Sequence, residues 1–457
     1  MQNWVTLIRA EKFRPAHGPK YAAIADALRG AIHSGELRPG ERLPAQRDLA
    51  AQLGVDLTTV TRAYTLVREA GLIEGAGKLG SFVRNDIALP RFGETASDRG
   101  MNVPPQPGFN LLPQAIHNGM ASLLRAGRHS PILQYQPSLG NIADRAQGAE
   151  RLAALGLPTE ADQIAITAGA QHALHGLVHS ILEPGDRLCC APFIYPGMIA
   201  LARRRGLVLT PVNVDDEGLT PDALDAALRG GARAVYLTPT NDNPTCITMG
   251  LRRREDIAAV IAAHGATLIE DDAYGQLCRA AHPPCAALIP AQSWYIAGTS
   301  KLISPVLRVA HVRAPSAEQN LQFGAALGDS AVMAPPLNVA LVSHWLREGL
   351  FGALIDGVRA EAIVRHRLVT RHLAGLPYRM QPEGYHLWLD LRDTSGRAPD
   401  IDALIDVLGG MGLSAVAGSA FATEDGTSTH IRLSVGGALD HGAIERALRH
   451  LRDRLGR

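Results

Sequence analysis

The first 85 residues carry the apolar spacing of amphipathic helices, interrupted by turn residues. In "YAAIADALRGAIHSG" the apolar residues Ile24, Leu28 and Ile32 recur every four positions, which places them on one face of a helix. Two more helical stretches follow, "AQRDLAAQLG" and "DLTTVTRAYTLVREAG", and each ends in a glycine that can close a helix. The glycine-rich "LIEGAGKLGSFVR" after them is typical of a hairpin. Residues 1–85 therefore predict a small unit of three helices and a hairpin.

The pattern changes twice further along the chain. Residues 86–108 are rich in proline, glycine and polar residues without a sustained period, so we interpret them as a linker. Over residues 109–457, short β-branched runs such as "AVYLTPT" and "ATLIEDDAY" alternate with helical stretches such as "REDIAAVIAAHG". This alternation is typical of the α/β class, with a mostly parallel sheet and flanking helices. We find no internal repeat.

The composition is that of an ordinary globular protein, and the charge adds one local feature, an excess of basic residues near the N-terminus. The whole chain has a net charge of +1, but residues 1–85 hold twelve Lys or Arg against eight Asp or Glu, a net +4. The five cysteines show neither the spacing of a metal site nor a disulfide framework, so we expect buried thiols and no metal. The sequence has no signal-peptide pattern and no run of eighteen apolar residues, which predicts a cytoplasmic protein without a membrane partner.

Polar residues around the third helical stretch have the chemistry to contact double-stranded DNA. In a helix-turn-helix module the second helix enters the major groove, while flanking basic groups hold phosphates. Charge alone would be explained equally well by a three-helix domain with solvated side chains. The predicted DNA contacts are Arg47, Thr58, Thr59, Thr61, Arg62 and, in the hairpin, Lys78.

The order of motifs in this unit resembles the winged helix-turn-helix of GntR-type regulators. The shared pieces are the "LRPGERLP" turn, the "RDLA" helix, the "TTVTRAY" recognition helix and a glycine-rich wing that ends in "FV". The resemblance implies a DNA-binding domain that reads a promoter or operator. Leu57 stands where that family often has arginine, a departure that bears on the family's usual base contact.

A second set of residues fits the needs of pyridoxal 5'-phosphate (PLP). A lysine that forms a Schiff base with PLP requires a carboxylate for the pyridine nitrogen, a donor to the ring oxygen, an aromatic surface, and cations with helix-start amides for the phosphate. Each candidate alone has a simpler explanation, such as a surface lysine or an ordinary turn. In chain order they are Gly169, Ala170, Gln171, Tyr195, Asn243, Asp271, Tyr274, Thr299, Ser300, Lys301 and Arg308.

From about Leu111 to the end, this constellation resembles the fold-type I aminotransferases. The resemblance implies that Lys301 is the Schiff-base lysine, that Asp271 pairs with the pyridine nitrogen, and that Tyr274 and Asn243 contact the ring oxygen. It also implies a smaller C-terminal α+β subdomain. Two further roles are carried over: Arg432, in "HIRLSVGG", holds a substrate or effector carboxylate, and Tyr135 reaches the phosphate of the neighbouring subunit in a homodimer. Two positions depart from the family: Cys246 replaces its glycine, and Gly298 replaces its Ser or Thr.

The two halves together resemble the MocR subfamily of transcription regulators. That resemblance implies a PLP-dependent regulator that senses an amino compound by Schiff-base exchange at Lys301, with regulation favoured over turnover. Two other functions stay open. One is a catalytically active PLP-dependent aminotransferase with an accessory DNA-binding domain. The other is a regulator whose pocket no longer binds PLP and serves only for dimerisation.

Overall fold

The computed structural model describes residues 19–33, 37, 40–69, 72–75, 80–84, 100–106, 111–125, 131–279, 282–392 and 399–455. These residues fall into two compact units, Met1–Thr95 and Ala96–Arg457. The predicted DNA contact Lys78 lies outside the described residues, as does the predicted helix end at Gly71.

The first unit contains the predicted three helices and hairpin. The elements are α1 (Lys20–His33), α2 (Gln46–Leu53), α3 (Leu57–Glu69), β1 (Ile73–Gly75) and β2 (Ser81–Val83). Ile24, Leu28 and Ile32 are all buried, which confirms the predicted face of α1, and each such side chain contributes about 1.5–3 kcal/mol. Gly54 closes α2 at φ 65°, a left-handed conformation that suits glycine and allows the tight turn into α3.

The second unit opens with helices and a run of alternating strands and helices. Its first half comprises α4 (Leu111–Leu124), α5 (Ile142–Ala153), β3 (Ile164–Thr167), α6 (Ala170–Ile181), β4 (Arg187–Cys190), α7 (Pro196–Arg205), β5 (Val208–Pro211), β6 (Val214–Asp215), β7 (Gly218–Leu219), α8 (Pro221–Arg229), β8 (Ala234–Leu237), α9 (Leu251–Ala263) and β9 (Thr267–Asp271). Its second half comprises α10 (Cys285–Leu288), β10 (Ser293–Gly298), β11 (Ala310–Arg313), α11 (Ala317–Ala331), α12 (Pro336–Arg347), α13 (Leu350–His372), β12 (Tyr378–Arg379), β13 (His386–Asp390), α14 (Ile401–Gly410), β14 (Ser414–Ala417), β15 (His430–Ser434) and α15 (His441–Arg454).

A seven-stranded sheet forms the centre of this unit. Its strand order is β3-β11-β10-β9-β8-β4-β5, and only β11 runs antiparallel to its neighbours. Strands β8 and β10 are buried along their whole length, as expected for a parallel sheet covered on both faces. The α/β prediction is therefore confirmed.

A smaller antiparallel sheet, β12-β13-β15-β14, lies near the C-terminus together with α14 and α15. It supplies the α+β subdomain that the sequence predicted. Strands β13 and β15 pair directly, with Trp388 opposite Arg432. This pairing places Arg432 in the middle of a buried strand.

The segment Gly100–Gln106, here called the strap, packs within the second unit although it falls in the range predicted as a linker, 86–108. Asn102 in the strap is only 2% exposed. The carbonyls of Val103 and Pro104 accept hydrogen bonds from the Gly437 amide, at 3.0 and 3.3 Å. The proline-rich sequence predicts a linker because its apolar residues do not recur at a regular spacing. The contacts of the strap are irregular and do not depend on such a spacing.

No helix among the described residues is both long enough and apolar enough to cross a membrane. The same described ranges hold no group of three or more His, Cys, Asp or Glu that could bind a metal ion.

Candidate functional site

Lys301 follows strand β10 and points into the second unit. Its side chain is half-buried, and Nζ donates to the main-chain oxygen of Asn102 at 2.6 Å. Burial, followed by the positive charges of Arg432 and Arg308, lowers the pKa of Lys301 to about 8, while Asp271 opposes the shift. The neutral amine, which is the form that attacks an aldehyde, is therefore more populated near neutral pH in Lys301 than in an ordinary lysine.

Asp271 ends the neighbouring strand β9 and carries an unsatisfied oxygen. Oδ2 accepts a hydrogen bond from the Tyr236 hydroxyl at 2.9 Å, whereas Oδ1 is buried and has no partner among the described residues. Burial raises the pKa of Asp271 to about 6. Above that pH the buried charge costs folding free energy, which an N–H donor aimed at Oδ1 would offset. A protonated pyridine nitrogen is such a donor.

Tyr274 and Asn243 both keep a donor group available. Tyr274 is fully buried, and its oxygen accepts from Asn102 Nδ2 at 2.8 Å, so its own proton is left to donate elsewhere. Asn243 Oδ1 accepts from Arg432 Nη1 at 3.1 Å, which leaves the Asn243 amide nitrogen as a donor. The Tyr274 hydroxyl and the Asn243 amide nitrogen could both donate to the ring oxygen of a bound PLP.

The start of helix α6 forms an anion-binding cradle. Gly169 precedes the helix at φ 85°, and a Cβ there would lie 2.9 Å from Arg308 Nη2, so Arg308 packs directly against the glycine. Arg308 Nη2 also donates to the Ala168 carbonyl at 2.8 Å. The Gly169 amide donates to the Thr167 carbonyl at 2.7 Å, so the predicted phosphate contact through this amide is already occupied. The amides of Ala170 and Gln171 at the helix start can bind a phosphate.

Tyr195 and Gln171 meet beside this cradle. A Cβ at Gly197 would lie 2.3 Å from Tyr195 Cε1 and 2.4 Å from Gln171 Oε1, so glycine is required there. Gln171 Oε1 is buried without a hydrogen-bond partner among the described residues. Burial, and then the negative charge of Asp271, raises the pKa of Tyr195. The Tyr195 ring is thus positioned near both the cradle and the carboxylate.

The two hydroxyls before Lys301 are not equivalent. Thr299 is fully buried, and its hydroxyl donates to the Val309 carbonyl at 2.9 Å, which commits its proton inside the fold. Ser300 is half-buried and makes no such bond. The geometry therefore favours Ser300 over Thr299 as the hydroxyl for a phosphate.

Arg432 reaches the same region from strand β15 of the small sheet. Nη1 donates to Asn243 Oδ1 and Nη2 donates to the Gly100 carbonyl, the latter at 2.5 Å. Nε is buried without a partner among the described residues, and the guanidinium lies 5.1 Å from the centre of the Phe421 ring. A buried guanidinium with unused N–H groups is suited to a carboxylate.

Tyr135 is not brought to this group. It is 84% exposed in the single chain, beside a groove of about 510 Å³ that Met333 and Pro335–Asn338 also line. The predicted role of Tyr135 in a neighbouring subunit stays a prediction.

Sequence reasoning missed two polar residues at this site, Asn102 and Tyr236. Asn102 lies in the aperiodic strap, 199 positions before Lys301, and no motif marked it. Tyr236 had a sequence signal, because it is a polar aromatic residue in the apolar run that predicts β8. In the parallel pair of β8 and β9, Tyr236 lies opposite Ile269, two residues before Asp271.

Cys246 keeps the backbone that glycine would favour at this position. Its φ is 59°, in the left-handed region, which costs an L-residue about 1–2 kcal/mol. The side chain is fully buried against Trp388 and Phe421, and the thiol donates to the His386 carbonyl at 3.4 Å. This departure therefore adds a buried side chain at a backbone conformation that glycine adopts readily.

Gly298→Ser is expected to tighten PLP binding about tenfold. A Cβ at Gly298 would lie 3.9 Å from Ala170 Cβ, an ordinary contact, so a serine fits and its hydroxyl can reach the start of α6. A hydrogen bond to a charged group contributes about 1.5–3 kcal/mol. PLP titration followed by absorbance measures the affinity, with Gly298→Ala as the control. Equal gains in both variants would contradict the added phosphate contact.

The predicted DNA contacts lie around the start of α3 in the first unit. Arg47, Thr58, Thr61 and Arg62 are exposed, and Thr59 is half-exposed. The Thr61 hydroxyl is within 2.8 Å of Gln46 Oε1 and 2.9 Å of the Leu57 carbonyl, so its proton is used locally.

Arg62 and Leu57 complete this surface. Arg62 stacks 4.1 Å from the centre of the Tyr21 ring, which holds the guanidinium against helix α1. Leu57 is 40% exposed at the head of the helix, where it offers an apolar contact in place of a charge.

Thr59→Ala and Arg62→Ala are each expected to weaken binding to a specific DNA fragment about 5- to 100-fold, because one lost contact costs about 1–3 kcal/mol. Salt-controlled binding assays measure the loss. Arg68→Ala is the matched control, since Arg68 is exposed in the last turn of the same helix. An equal loss in the control would show that overall charge, and not this surface, determines binding.

The two units define a class of protein: a helix-turn-helix DNA-binding domain joined to an aminotransferase-like domain. Residues 20–83 match the family described as "Bacterial regulatory proteins, gntR family". Residues 100–451 match "Aminotransferase class I and II". The chain belongs to this aminotransferase family, and its pairing with a GntR domain is consistent with the predicted MocR subfamily.

Curated relatives that match most of the chain are helix-turn-helix regulators. "Uncharacterized HTH-type transcriptional regulator YdeF" of Bacillus subtilis (strain 168) is 27% identical over 82% of this chain and 81% of its own length. "Vitamin B6 salvage pathway transcriptional repressor PtsJ" of Salmonella typhimurium is 29% identical over 82% of this chain and 86% of its own length. These matches confirm the predicted resemblance to regulators that combine a GntR domain with an aminotransferase-like domain.

Solved aminotransferases share the fold of the second unit. The alpha-aminoadipate aminotransferase LysN of Thermus thermophilus, complexed with N-(5'-phosphopyridoxyl)-L-leucine, is 26% identical with a TM-score of 0.68, covering 78% of this chain and 91% of that chain. A kynurenine aminotransferase of Pyrococcus horikoshii, at 20% identity and a TM-score of 0.70 over 78% of this chain and 90% of its own, shows the fold alone. The fold therefore implies PLP.

Proposed function

We propose that this chain is a PLP-dependent transcription regulator that senses an amino compound through Schiff-base exchange at Lys301. The observation that carries the proposal is the presence, in one chain, of an exposed helix-turn-helix surface and of a site where the charge of Asp271, whose Oδ1 is buried without a partner among the described residues, acts on Lys301. Relatives named as transcriptional regulators support it, because they match 82% of this chain.

The residues of the pocket fit PLP group by group. When bound, PLP supplies an aldehyde that reacts with primary amines and a pyridine ring that withdraws electrons. Lys301 offers the amine, and Asp271 Oδ1 accepts the pyridine N–H. Tyr274 and Asn243 would donate to the ring oxygen, and Arg308 with the amides of Ala170 and Gln171 would bind the phosphate; the Gly169 amide donates to the Thr167 carbonyl and is not part of this set.

The amino compound uses the residues that remain. Arg432 has a buried N–H group without a partner among the described residues that would bind a carboxylate. Lys301 would be the amine that the amino compound replaces. A ligand changes an equilibrium only by its different affinity for two states of the protein. We propose that such a difference alters DNA affinity, in a cytoplasmic homodimer in which Tyr135 serves the partner's site.

The test starts from a pool of random double-stranded DNA selected against the purified full chain. The enriched fragment is then bound at fixed salt without ligand, with PLP, and with PLP plus a series of amino compounds. PLP alone is a necessary arm because PtsJ is named as a vitamin B6 salvage repressor. We expect a specific fragment and an affinity that changes with ligand. No enrichment, or affinity that is indifferent to every ligand, would contradict the proposal.

A working aminotransferase is the second candidate, because the charges of Asp271 and Arg432 both act on Lys301, so the three residues lie at one site. Its test is turnover of an amino donor with a keto acid under steady-state conditions. Sustained turnover that Lys301→Ala abolishes would establish this activity. A single half-reaction without turnover would favour sensing.

A further inference from the structure

Asn102 forms hydrogen bonds through three of its polar atoms around the candidate ligand site. Its main-chain oxygen accepts from Lys301 Nζ at 2.6 Å, and its Nδ2 donates to the Tyr274 hydroxyl at 2.8 Å. Its Oδ1 accepts from the Ser434 hydroxyl at 2.5 Å. The strap thus contacts both the candidate lysine and the candidate ring-oxygen donor through one buried residue.

The Asn102 side chain also determines what Tyr274 can do. The Ser434 hydroxyl donates to one end of the amide, which fixes the nitrogen end toward Tyr274. Because an amide nitrogen only donates, the Tyr274 oxygen must accept there and its proton must point elsewhere. Asn102 therefore holds Tyr274 in the role of donor.

The main-chain contact depends on the chemical state of Lys301. A free ammonium has three hydrogens, and one is donated to Asn102. When Lys301 condenses with an aldehyde, a C=N bond forms, the carbonyl oxygen leaves as water with two hydrogens from the nitrogen, and at most one hydrogen stays. An amine that takes the aldehyde carbon from Lys301 returns a free amine to the lysine.

We propose that Asn102 is a positioning residue that couples Lys301 to the strap, so that the strap is held more firmly when Lys301 is a free amine than when it is bonded to PLP. This proposal rests on the proposed function. The contacts of Arg432 with Gly100 and of Gly437 with Val103 are independent of Lys301, so the change is local to the strap around Asn102. In sequence, the strap lies between the DNA-binding unit and the rest of the second unit.

The experiment places a nitroxide spin label on Met101→Cys in the full chain. Met101 is 47% exposed and adjoins Asn102. The background carries Cys278→Ser, because the other four cysteines are buried. Label motion is read from the EPR line shape without ligand, with PLP, and with pyridoxamine 5'-phosphate, which has the same ring and phosphate but no aldehyde.

We expect PLP to shift the line shape toward faster motion and pyridoxamine 5'-phosphate to leave it unchanged. Equal shifts with both ligands would mean that filling the site moves the strap. An unchanged line shape despite a formed chromophore would mean that Lys301 does not restrain the strap. Either result overturns the coupling and leaves the proposed function untouched. If PLP forms no chromophore, both the coupling and the proposed function fail.

Asn102→Ala tests the positioning of Tyr274 separately, because it removes the side-chain bonds and keeps the main-chain carbonyl. Without the donor from Asn102, Tyr274 becomes a weaker donor to the ring oxygen, which then holds the proton of the Schiff base more tightly. We expect the pH midpoint of the absorbance change of the PLP-loaded protein to rise by several tenths of a unit. The PLP-dependent shift of the label should persist. An unchanged midpoint in a folded variant would overturn the role of Asn102 in positioning Tyr274.

Discussion

Lys301→Ala is expected to abolish the absorbance band that forms when PLP is added to the protein, and with it every response to amino compounds. No other lysine lies in the pocket residues described above, so no second amine can replace Lys301 there. Binding to the selected DNA fragment without ligand should be retained, because the DNA contacts belong to the other unit. Absorbance titration and salt-controlled DNA binding measure the two effects.

Lys301→Arg is the matched control, since it keeps a positive charge and a donor toward Asn102 but has no amine that condenses with an aldehyde. Both variants should lose the band. A band of normal intensity in either variant would show that PLP reacts at another site on the chain.

The rate of PLP loading should also depend on pH in a way that ordinary lysines do not show. Since burial and nearby arginines lower the pKa of Lys301 to about 8, the neutral amine fraction rises through that pH and then levels. Loading by an unperturbed lysine would continue to accelerate toward the ordinary lysine pKa of 10.5. Stopped-flow absorbance across this range distinguishes the two profiles.

Arg432→Ala is expected to weaken the response to amino acids about 10- to 100-fold while changing the response to simple amines much less. Hydrogen bonds to a charged group contribute about 1.5–3 kcal/mol, and only ligands with a carboxylate make them. Titration of the PLP-loaded protein with paired ligands, each amino acid beside its decarboxylated amine, measures the difference.

Two controls accompany the Arg432 prediction. Arg432→Lys keeps the charge but loses the bidentate geometry, and should recover part of the loss. Arg371→Ala removes an exposed arginine that pairs with Glu445 on the outside of the same unit, and should change neither response. Equal losses for amino acids and amines in Arg432→Ala would contradict its role as the carboxylate anchor.

Sequence motifs indicate residue types, whereas contacts depend on the fold. Lys301, Asp271, Asn243 and Arg432 match a known chemistry in type and order. Their proximity follows from the adjacency of β9 and β10 and from the hydrogen bond between Arg432 and Asn243, which are 189 positions apart. Spacing along the chain does not encode either fact.

Local alternatives were decided by packing. Thr299 and Ser300 are both plausible phosphate ligands in sequence, and only the bond from Thr299 to Val309 distinguishes them. The sequence alone predicts Arg62 to be an exposed basic residue, whereas in the structure its guanidinium stacks on the ring of Tyr21 from another helix. Such contacts arise where separate elements meet, so neighbouring residues give no signal of them.

By itself, the sequence determined the two kinds of unit and the chemistry of their candidate residues, because helix periodicity, strand alternation and residue type are local properties. The tertiary structure alone decided that part of the proline-rich segment is a strap that packs within the second unit and buries Asn102. Its residues have no period, and Asn102 acquires partners only when Lys301, Tyr274 and Ser434 are folded around it. Contacts between distant segments depend on the whole fold, and that is why this residue could not be found from the sequence.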